Sequence, residues 1–201
     1  AGDAACSGLN GAGALPGNRL LDALSGGSSS GSHASEWVKG QSFSNTENLL
    51  SSLESCEANF SAKFSEEATD TVQRVGALDT KLLSIGAKFT SSPNSSDELS
   101  GLLQELEQAE MSAEAIHLDQ QSLIANTNYA GLMRIQAGIR LLTASIRASL
   151  ARNESRGVHQ RSDFLEENPE LIHHITVDND ANVGTLAVRK GQKDNWILTP
   201  Q

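Results

Sequence analysis

The sequence predicts a mainly α protein: a glycine-rich turn with one helix, then an antiparallel helical bundle, then a small C-terminal β segment. Three observations carry that expectation. Apolar residues recur three or four positions apart from Leu49 to Leu150, which keeps them on one side of a 3.6-residue helix. Aromatic residues make up only 4% of the 201, so any core is built from Leu, Ile, Val and Ala. After Asp163 the helical period gives way to short β-branched runs.

In chain order, Gly8, Gly11, Gly13 and Gly17 let the first segment turn tightly. Pro16-Gly17-Asn18 then stands at a plausible helix start, with Leu20, Leu21 and Leu24 at helical spacing. Ser25 to Gly40 is low in complexity (Gly26-Gly27-Ser28-Ser29-Ser30-Gly31-Ser32) and reads as a flexible linker. Trp37 and Val38 are expected to return the chain to a packed surface. Thr46 to Ala68 reads as a helix capped by Asn45 or Thr46, with Leu49, Leu50, Leu53, Cys56, Phe60 and Phe64 on one side. Thr69 to Phe89 continues with Val72, Val75, Leu78, Leu82 and Ile85, weakened by Gly76 and Gly86. Pro93-Asn94 centres a turn.

Asp97 to Ile116 is an acidic helix whose stripe is Leu99, Leu102, Leu103, Leu106 and Met111. Asn128 to Asp163 begins as a long amphipathic helix, with Leu132, Ile135, Ile139, Leu142, Ile146 and Leu150 on its apolar side. Asn126, Thr127 and Asn128 offer capping oxygens, and Gly157 a residue able to take positive φ and end the helix. Arg134, Arg140, Arg147 and Arg152 lie off the apolar stripe. Short turns between helices predict antiparallel packing. Glu166-Glu167-Asn168-Pro169 breaks the helical pattern, Ile172–Val177 and Thr185–Arg189 read as strands around a turn at Asp178-Asn179-Asp180-Ala181-Asn182, and Ile197-Leu198 adds a final edge. The domains expected are 1–40, 41–163 and 164–201.

The formal net charge of −10 argues against a general nucleic-acid binder, which needs a basic face for phosphate. The helix arginines are a local exception able to meet a carboxylate. No apolar run approaches the roughly 20 residues of a membrane span. Cys6 and Cys56 lack flanking His or Cys, so neither zinc nor a disulfide framework is indicated. His173 and His174 are adjacent and would face opposite sides of a strand, which disfavours a shared metal. Gly11-Ala12-Gly13 begins like a dinucleotide fingerprint, but Pro16 takes the third glycine's place and no apolar strand precedes it. The opening Ala1-Gly2-Asp3 carries no Met and reads as part of something longer.

Two segments together resemble the flavoprotein subunit of the succinate dehydrogenase and fumarate reductase family. The first is Ala1-Gly2-Asp3-Ala4-Ala5-Cys6-Ser7-Gly8-Leu9-Asn10-Gly11-Ala12, followed by Leu15 and by Asn18 to Leu24. The second is Ala151-Arg152-Asn153-Glu154-Ser155-Arg156-Gly157-Val158-His159-Gln160-Arg161-Ser162-Asp163, and His174-Ile175-Thr176 stands where the family's next strand begins. The resemblance implies the C-terminal part of such a subunit, whose N-terminal flavin-binding half is missing or supplied by another chain. It implies FAD, succinate and fumarate as the substrate pair interconverted by hydride transfer, an iron–sulfur subunit as electron acceptor and, indirectly, membrane anchor subunits. The compartment implied is the matrix face of the mitochondrial inner membrane or the cytoplasmic face of a bacterial membrane.

Carried over residue by residue, Asp3 matches the acid that bonds flavin hydroxyls. The backbone N–H groups of Asn18, Arg19 and Leu20 match the helix start aimed at the flavin. The family's turn departs here: Asn10 replaces its histidine, Gly13 its asparagine and Ala14 its substrate-gripping arginine. An alanine cannot supply the paired charge-assisted hydrogen bonds that hold a dicarboxylate, which leaves three readings open: Arg19 reaches the carboxylate instead, the substrate differs, or the chain is a non-catalytic helical scaffold. Glu154, Arg156, His159 and Arg161 are placed at a joint between the helical and flavin domains, with a structural rather than chemical role and an ion pair between Glu154 and Arg156. No residue of this chain is expected to be catalytic by itself, and an unrelated helical adaptor is the reading if the motif match is coincidence.

Overall fold

The computed structural model describes residues 1–6, 8, 10–11, 13, 15–42, 46–64, 74–91, 93–116, 118, 122, 124–190 and 196–200, with backbone alone at 3, 48, 187–190 and 196–200. The chain divides into two compact units, Ala1–Ser52 and Leu53–Gln201. The protein is mainly helical and closes with a small antiparallel sheet.

In the first unit a short 3-10 turn, Gly2–Ala5, packs on helix α1, Asn18–Val38. Gly17 takes φ 87° at the N-cap of α1, and Gly8 and Gly11 also adopt positive φ, as a turn of this tightness requires. The helix then runs straight through the stretch whose composition reads as a linker. That stretch contains no proline, and Ser32 Oγ donates to the Ser28 carbonyl while His33 Nδ1 bonds the Ser29 carbonyl, so its side chains reinforce the ladder. None of the residues of α1 is buried; Trp37 and Val38, expected on a packed surface, are exposed within this unit.

Helix α2, Thr46–Ala62, crosses from the first unit into the second. It stops short of the expected Ala68: Lys63 and Phe64 form a turn, and residues 65–73 and the cap at Asn45 lie outside the described residues. Phe60 and Phe64 pack against Tyr129, with ring centroids 4.7 and 6.3 Å away.

The core of the second unit is made by α3, Val75–Ser91, α4, Ser96–Glu114, and α5, Thr127–Ala151. Buried Leu78, Leu82 and Ile85 meet Leu99, Leu102 and Leu106, and Leu132, Ile135, Ile139 and Ile146. Met111, expected on the stripe of α4, is 70% exposed, and Ala109 and Ala113 are the buried residues at that end of the helix. A capping box starts α4, with Glu98 N–H donating to Ser95 Oγ and Ser95 N–H to the Glu98 carboxylate, and Asn126 Oδ1 caps α5 through Tyr129 N–H.

Helices α3 and α5 run parallel and in phase, with α4 antiparallel to both. A Cβ placed on Gly131 would meet Val75 Cγ1 at 3.0 Å, one on Gly138 would meet Leu82 Cδ2 at 2.7 Å, and one on Gly86 would meet Leu142 at 3.9 Å. Gly131 and Gly138 are therefore sites of close backbone approach rather than flexible points. Helix α5 ends at Ala151, not near Gly157: Arg152 leaves helical geometry at φ −96°, ψ 97°. Beyond it come a 3-10 turn, Pro169–Leu171, and three antiparallel strands in the order β1, His173–Val177, β2, Val183–Lys190, and β3, Trp196–Pro200. The register pairs His174 with Leu186 and Val177 with Val183. Asp178 Oδ1 accepts from the N–H groups of Asp180 and Asn182 and holds the β1–β2 turn.

Two glycine substitutions are expected to move stability in opposite directions. Gly138→Val should overpack against Leu82 and lower stability by about 1–3 kcal/mol. Gly101→Ala, inside α4 with nothing within 4 Å of the new methyl group, should raise it by about 0.5–1 kcal/mol. Urea unfolding of both variants reads the difference.

Candidate functional site

The segment that follows α5 gathers the helix ends of the bundle around two buried charges. The side chain of Arg161, 1% exposed, is held on every donor. Its Nη1 donates to the carbonyls of Ser149, Leu150 and Arg152 at 2.8, 3.4 and 3.3 Å, at the C-terminus of α5. Its Nε and Nη2 form a two-pronged pair with Asp163 at 2.9 and 2.8 Å, and Nη2 also reaches Ser96 Oγ at 2.7 Å. Asp163 Oδ2 in turn accepts from Ser96 N–H at 2.9 Å and Ser96 Oγ at 2.6 Å, at the first residue of α4. One ion pair thus places a cation on a helix C-terminus and an anion on a helix N-terminus, each matching the local dipole. Hydrogen bonds from Arg161, and then from Ser96, hold the Asp163 carboxyl well below the usual carboxylate range. The Phe164 ring lies 5.1 Å from the Arg161 guanidinium.

Glu154 is the second buried charge, with no exposed surface. Burial pushes its carboxyl up, but Arg156, the Asn168 N–H and Arg152 together outweigh that and hold it at about 2. Arg156 bonds both oxygens, at 3.1 and 2.8 Å, and Arg152 Nη1 bonds Oε1 at 2.6 Å. Arg152 also donates to the carbonyls of Leu171 and His173, so this knot carries the connection to β1. Arg147 Nη1 donates to the Ala181 carbonyl in the β1–β2 turn.

His159 faces Arg156 across a backbone pair, Arg156 N–H to the His159 carbonyl at 2.8 Å and the reverse at 3.0 Å, with Gly157 at φ 56° in the turn between them. His159 Nε2 bonds the Arg152 carbonyl at 3.1 Å; a carbonyl only accepts, so Nε2 carries the hydrogen and Nδ1 its lone pair. Burial pushes the pKa of His159 down, which keeps the ring neutral near pH 7. The ring lines a cavity of about 510 Å³, with Phe89, Thr90, Pro93, Asn94, Leu99, Val158 and Gln160 among its walls.

The Glu154–Arg156 pair is present, and His159 and Arg161 meet at the Arg152 carbonyl. Ser96, Ser155 and Asp163 belong to the same cluster. Ser155 Oγ accepts from Arg161 N–H and bonds the Phe164 carbonyl. The spacing of Arg161 and Asp163 hints at the pair; nothing local marks Ser96, 67 residues from Asp163. Of the helix arginines, Arg134 pairs with Asp79 at 2.8 Å, Arg147 and Arg152 are engaged as described, and Arg140 is exposed.

In the first unit, Asn18 N–H donates to the Leu15 carbonyl and Asn18 Nδ2 to Asn10 Oδ1. The N–H groups of Arg19 and Leu20 begin the helix with no bond among the described residues, and both side chains are exposed. Asp3 lies in the 3-10 turn; Ala14 lies outside the described residues.

A family model described as the fumarate reductase flavoprotein C-terminus matches residues 92–197. The chain belongs to the fumarate reductase and succinate dehydrogenase flavoprotein family. Its match is to the C-terminal part of that subunit. Among solved structures, the chain is similar to a mutant of E. coli quinol fumarate reductase FrdA, with a TM-score of 0.63 and 12% identity over 84% of this chain and 27% of that one. It is similar to the Mycobacterium smegmatis Sdh1 complex in its apo form, with a TM-score of 0.58 and 15% identity over 84% and 27% of the two chains. The same organism's Sdh1 with UQ1 gives 0.57 and 16% over 84% and 26%. At these identities the likeness is one of fold, and the chain spans about a quarter of those relatives' length. No curated protein matches by sequence. Among the described residues no helix is long and apolar enough to cross a membrane.

Two outcomes test the clamp. Arg161→Met leaves Asp163 and three helix-end carbonyls without their partner and is expected to destabilise the second unit by about 3–5 kcal/mol. Glu154 has its pKa depressed by folding, so its stabilising contribution is present above pH 4.5 and lost as pH falls toward 2. That contribution is roughly 3 kcal/mol, from a pKa shift of two to three units, and in Glu154→Gln the acid-side decline in urea midpoint should shrink accordingly.

Proposed function

We propose that the chain is the C-terminal part of a flavoprotein subunit that completes an FAD domain and docks into a respiratory electron-transfer assembly. The observation that carries this reading is the family match over residues 92–197, which includes both buried charge clusters. FAD, when bound, supplies the hydride acceptor for interconversion of succinate and fumarate, and most of its pocket comes from a flavin-binding half outside these residues. The part left to this chain is the start of α1. The unbonded N–H groups of Arg19 and Leu20, at the positive end of the helix dipole, fit the electron-rich edge of a flavin and favour negative charge there. The Asn18 N–H is already taken by Leu15, so Asn18 orders the turn and leaves the contact to its two successors. Asp3 is assigned to the flavin hydroxyls.

The partners that follow from this reading are the flavin-binding half, an iron–sulfur subunit that takes the electrons onward, and membrane anchors reached through it. The location is peripheral, on the matrix face of the mitochondrial inner membrane or the cytoplasmic face of a bacterial one. The 152–168 segment braces the helical bundle, with no chemical step assigned to Glu154, Arg156, His159 or Arg161.

One observation favours a second reading. Ala14 occupies the position of the family's substrate arginine, and the side chain of Arg19, exposed one turn further on, is the one cation nearby in sequence. On this reading the chain is a helical scaffold that no longer supports catalysis.

The visible spectrum of the purified assembly, recorded with and without succinate, decides between them. A flavin band that bleaches with succinate supports the catalytic reading. A flavin band indifferent to succinate supports loss of substrate binding, and Ala14→Arg should then restore dicarboxylate affinity. Absence of flavin in an assembly that contains the N-terminal half overturns the FAD assignment.

A further inference from the structure

The cavity beside His159 is not used by the reading above. It opens where the end of α3, the start of α4 and the end of α5 meet the Arg156–His159 turn. Phe89, Pro93, Leu99 and Val158 give it apolar walls, and Val158 stands at the lip with 82% of its surface exposed. A volume of about 510 Å³ lies in the range of small-molecule pockets.

Most polar atoms at the walls are already committed. Gln160 Nε2 donates to the Gly157 carbonyl at 2.8 Å, and Thr90 Oγ1 to the Gly86 carbonyl at 2.9 Å. Arg161 has every donor bonded, which leaves no directional contact for an anion. His159 differs. Its Nε2–H is fixed on the Arg152 carbonyl, which orients the ring and leaves Nδ1 as an acceptor with no partner among the described residues. A ring locked by its other nitrogen meets a donor without loss of rotational freedom.

We propose that this cavity is a binding site for a small neutral ligand with an apolar ring and one hydroxyl donor, of the phenol class, whose O–H is received by His159 Nδ1. The apolar walls take the ring, and the lone pair selects the donor. Neutrality of the imidazole, maintained by its burial, keeps the acceptor available at pH 7.

The probes are 4-methylphenol and 4-methylanisole, which share a ring and differ in the donor. Each is titrated into the full chain while the imidazole nitrogens are followed by long-range proton–nitrogen NMR. The phenol should saturate and shift the His159 Nδ1 resonance upfield, and the anisole should bind about tenfold more weakly, the factor expected when one hydrogen bond is removed. His159→Gln, which retains both a donor for Arg152 and an acceptor, should keep the preference; His159→Phe should abolish it. Equal affinity for the two probes, or saturation that leaves the His159 resonances unmoved, overturns the proposal. If His159→Phe does not fold, the paired titration of the unmodified chain decides alone. Failure here leaves the flavin reading untouched, because that reading rests on the start of α1 in the first unit and uses none of the cavity residues of the second.

Discussion

The Arg161–Asp163 pair is the constraint on which the second unit turns. A helical bundle leaves unsatisfied carbonyls at one end of each helix and unsatisfied N–H groups at the other, and at this end of the bundle α5 finishes where α4 begins. A single guanidinium covers the first set and a single carboxylate the second, and each neutralises the other. Buried alone, either charge would be strongly unfavourable. Buried together, with Ser96, Ser149 and Arg152 as further partners, they fix the separation of two helix ends and the path of the chain between them. Glu154 repeats the device one turn earlier, with Arg152 and Arg156 tying the end of α5 to the 3-10 turn and β1.

Much of this was readable from the residues. The aliphatic periodicity gave α3, α4 and α5 because their stripes are long and face a common core. The segment from Arg152 to Asp163 stands out by its resemblance to the family's helix-exit motif, and it holds the Glu154–Arg156 and Arg161–Asp163 pairs. Other features were not readable, for physical reasons that differ from case to case. Composition at Ser25–Gly40 points to a linker because glycine and serine carry low helix propensity, yet nothing in that stretch blocks the backbone ladder. Gly157 reads as a helix stop because it can take positive φ; it does so, but in a turn beyond the true end, where Arg152 has already left helical geometry. Met111 fits the spacing of the α4 stripe, but the helix turns Ala109 and Ala113 inward at that end and leaves Met111 exposed. Gly131 and Gly138 are where the Val75 and Leu82 side chains of α3 pack directly on α5, a contact that helix propensity does not report. Ser96 illustrates the general limit: its role depends on a partner 67 residues away, and no local pattern announces it.

The family assignment and the geometry bear on different parts of the chain. Family membership rests on residues 92–197, where the buried charges supply a reason for the motif that is structural and complete in itself. Asn10, Gly13 and Ala14 lie in the first unit, outside the matched segment, so the proposed substrate reading rests on the resemblance of residues 1–24 and the bracing of the bundle does not depend on it.

Helix α1 has a consequence of its own. It carries 21 residues with no buried side chain and a run of glycine and serine through its middle, so neither intrinsic propensity nor desolvation of Leu20, Leu21 and Leu24 within the unit holds it together. Backbone hydrogen bonds, the Ser32 and His33 contacts and the Gly2–Ala5 turn are left to hold it, so amide exchange along α1 should be much faster than in the buried helices of the second unit.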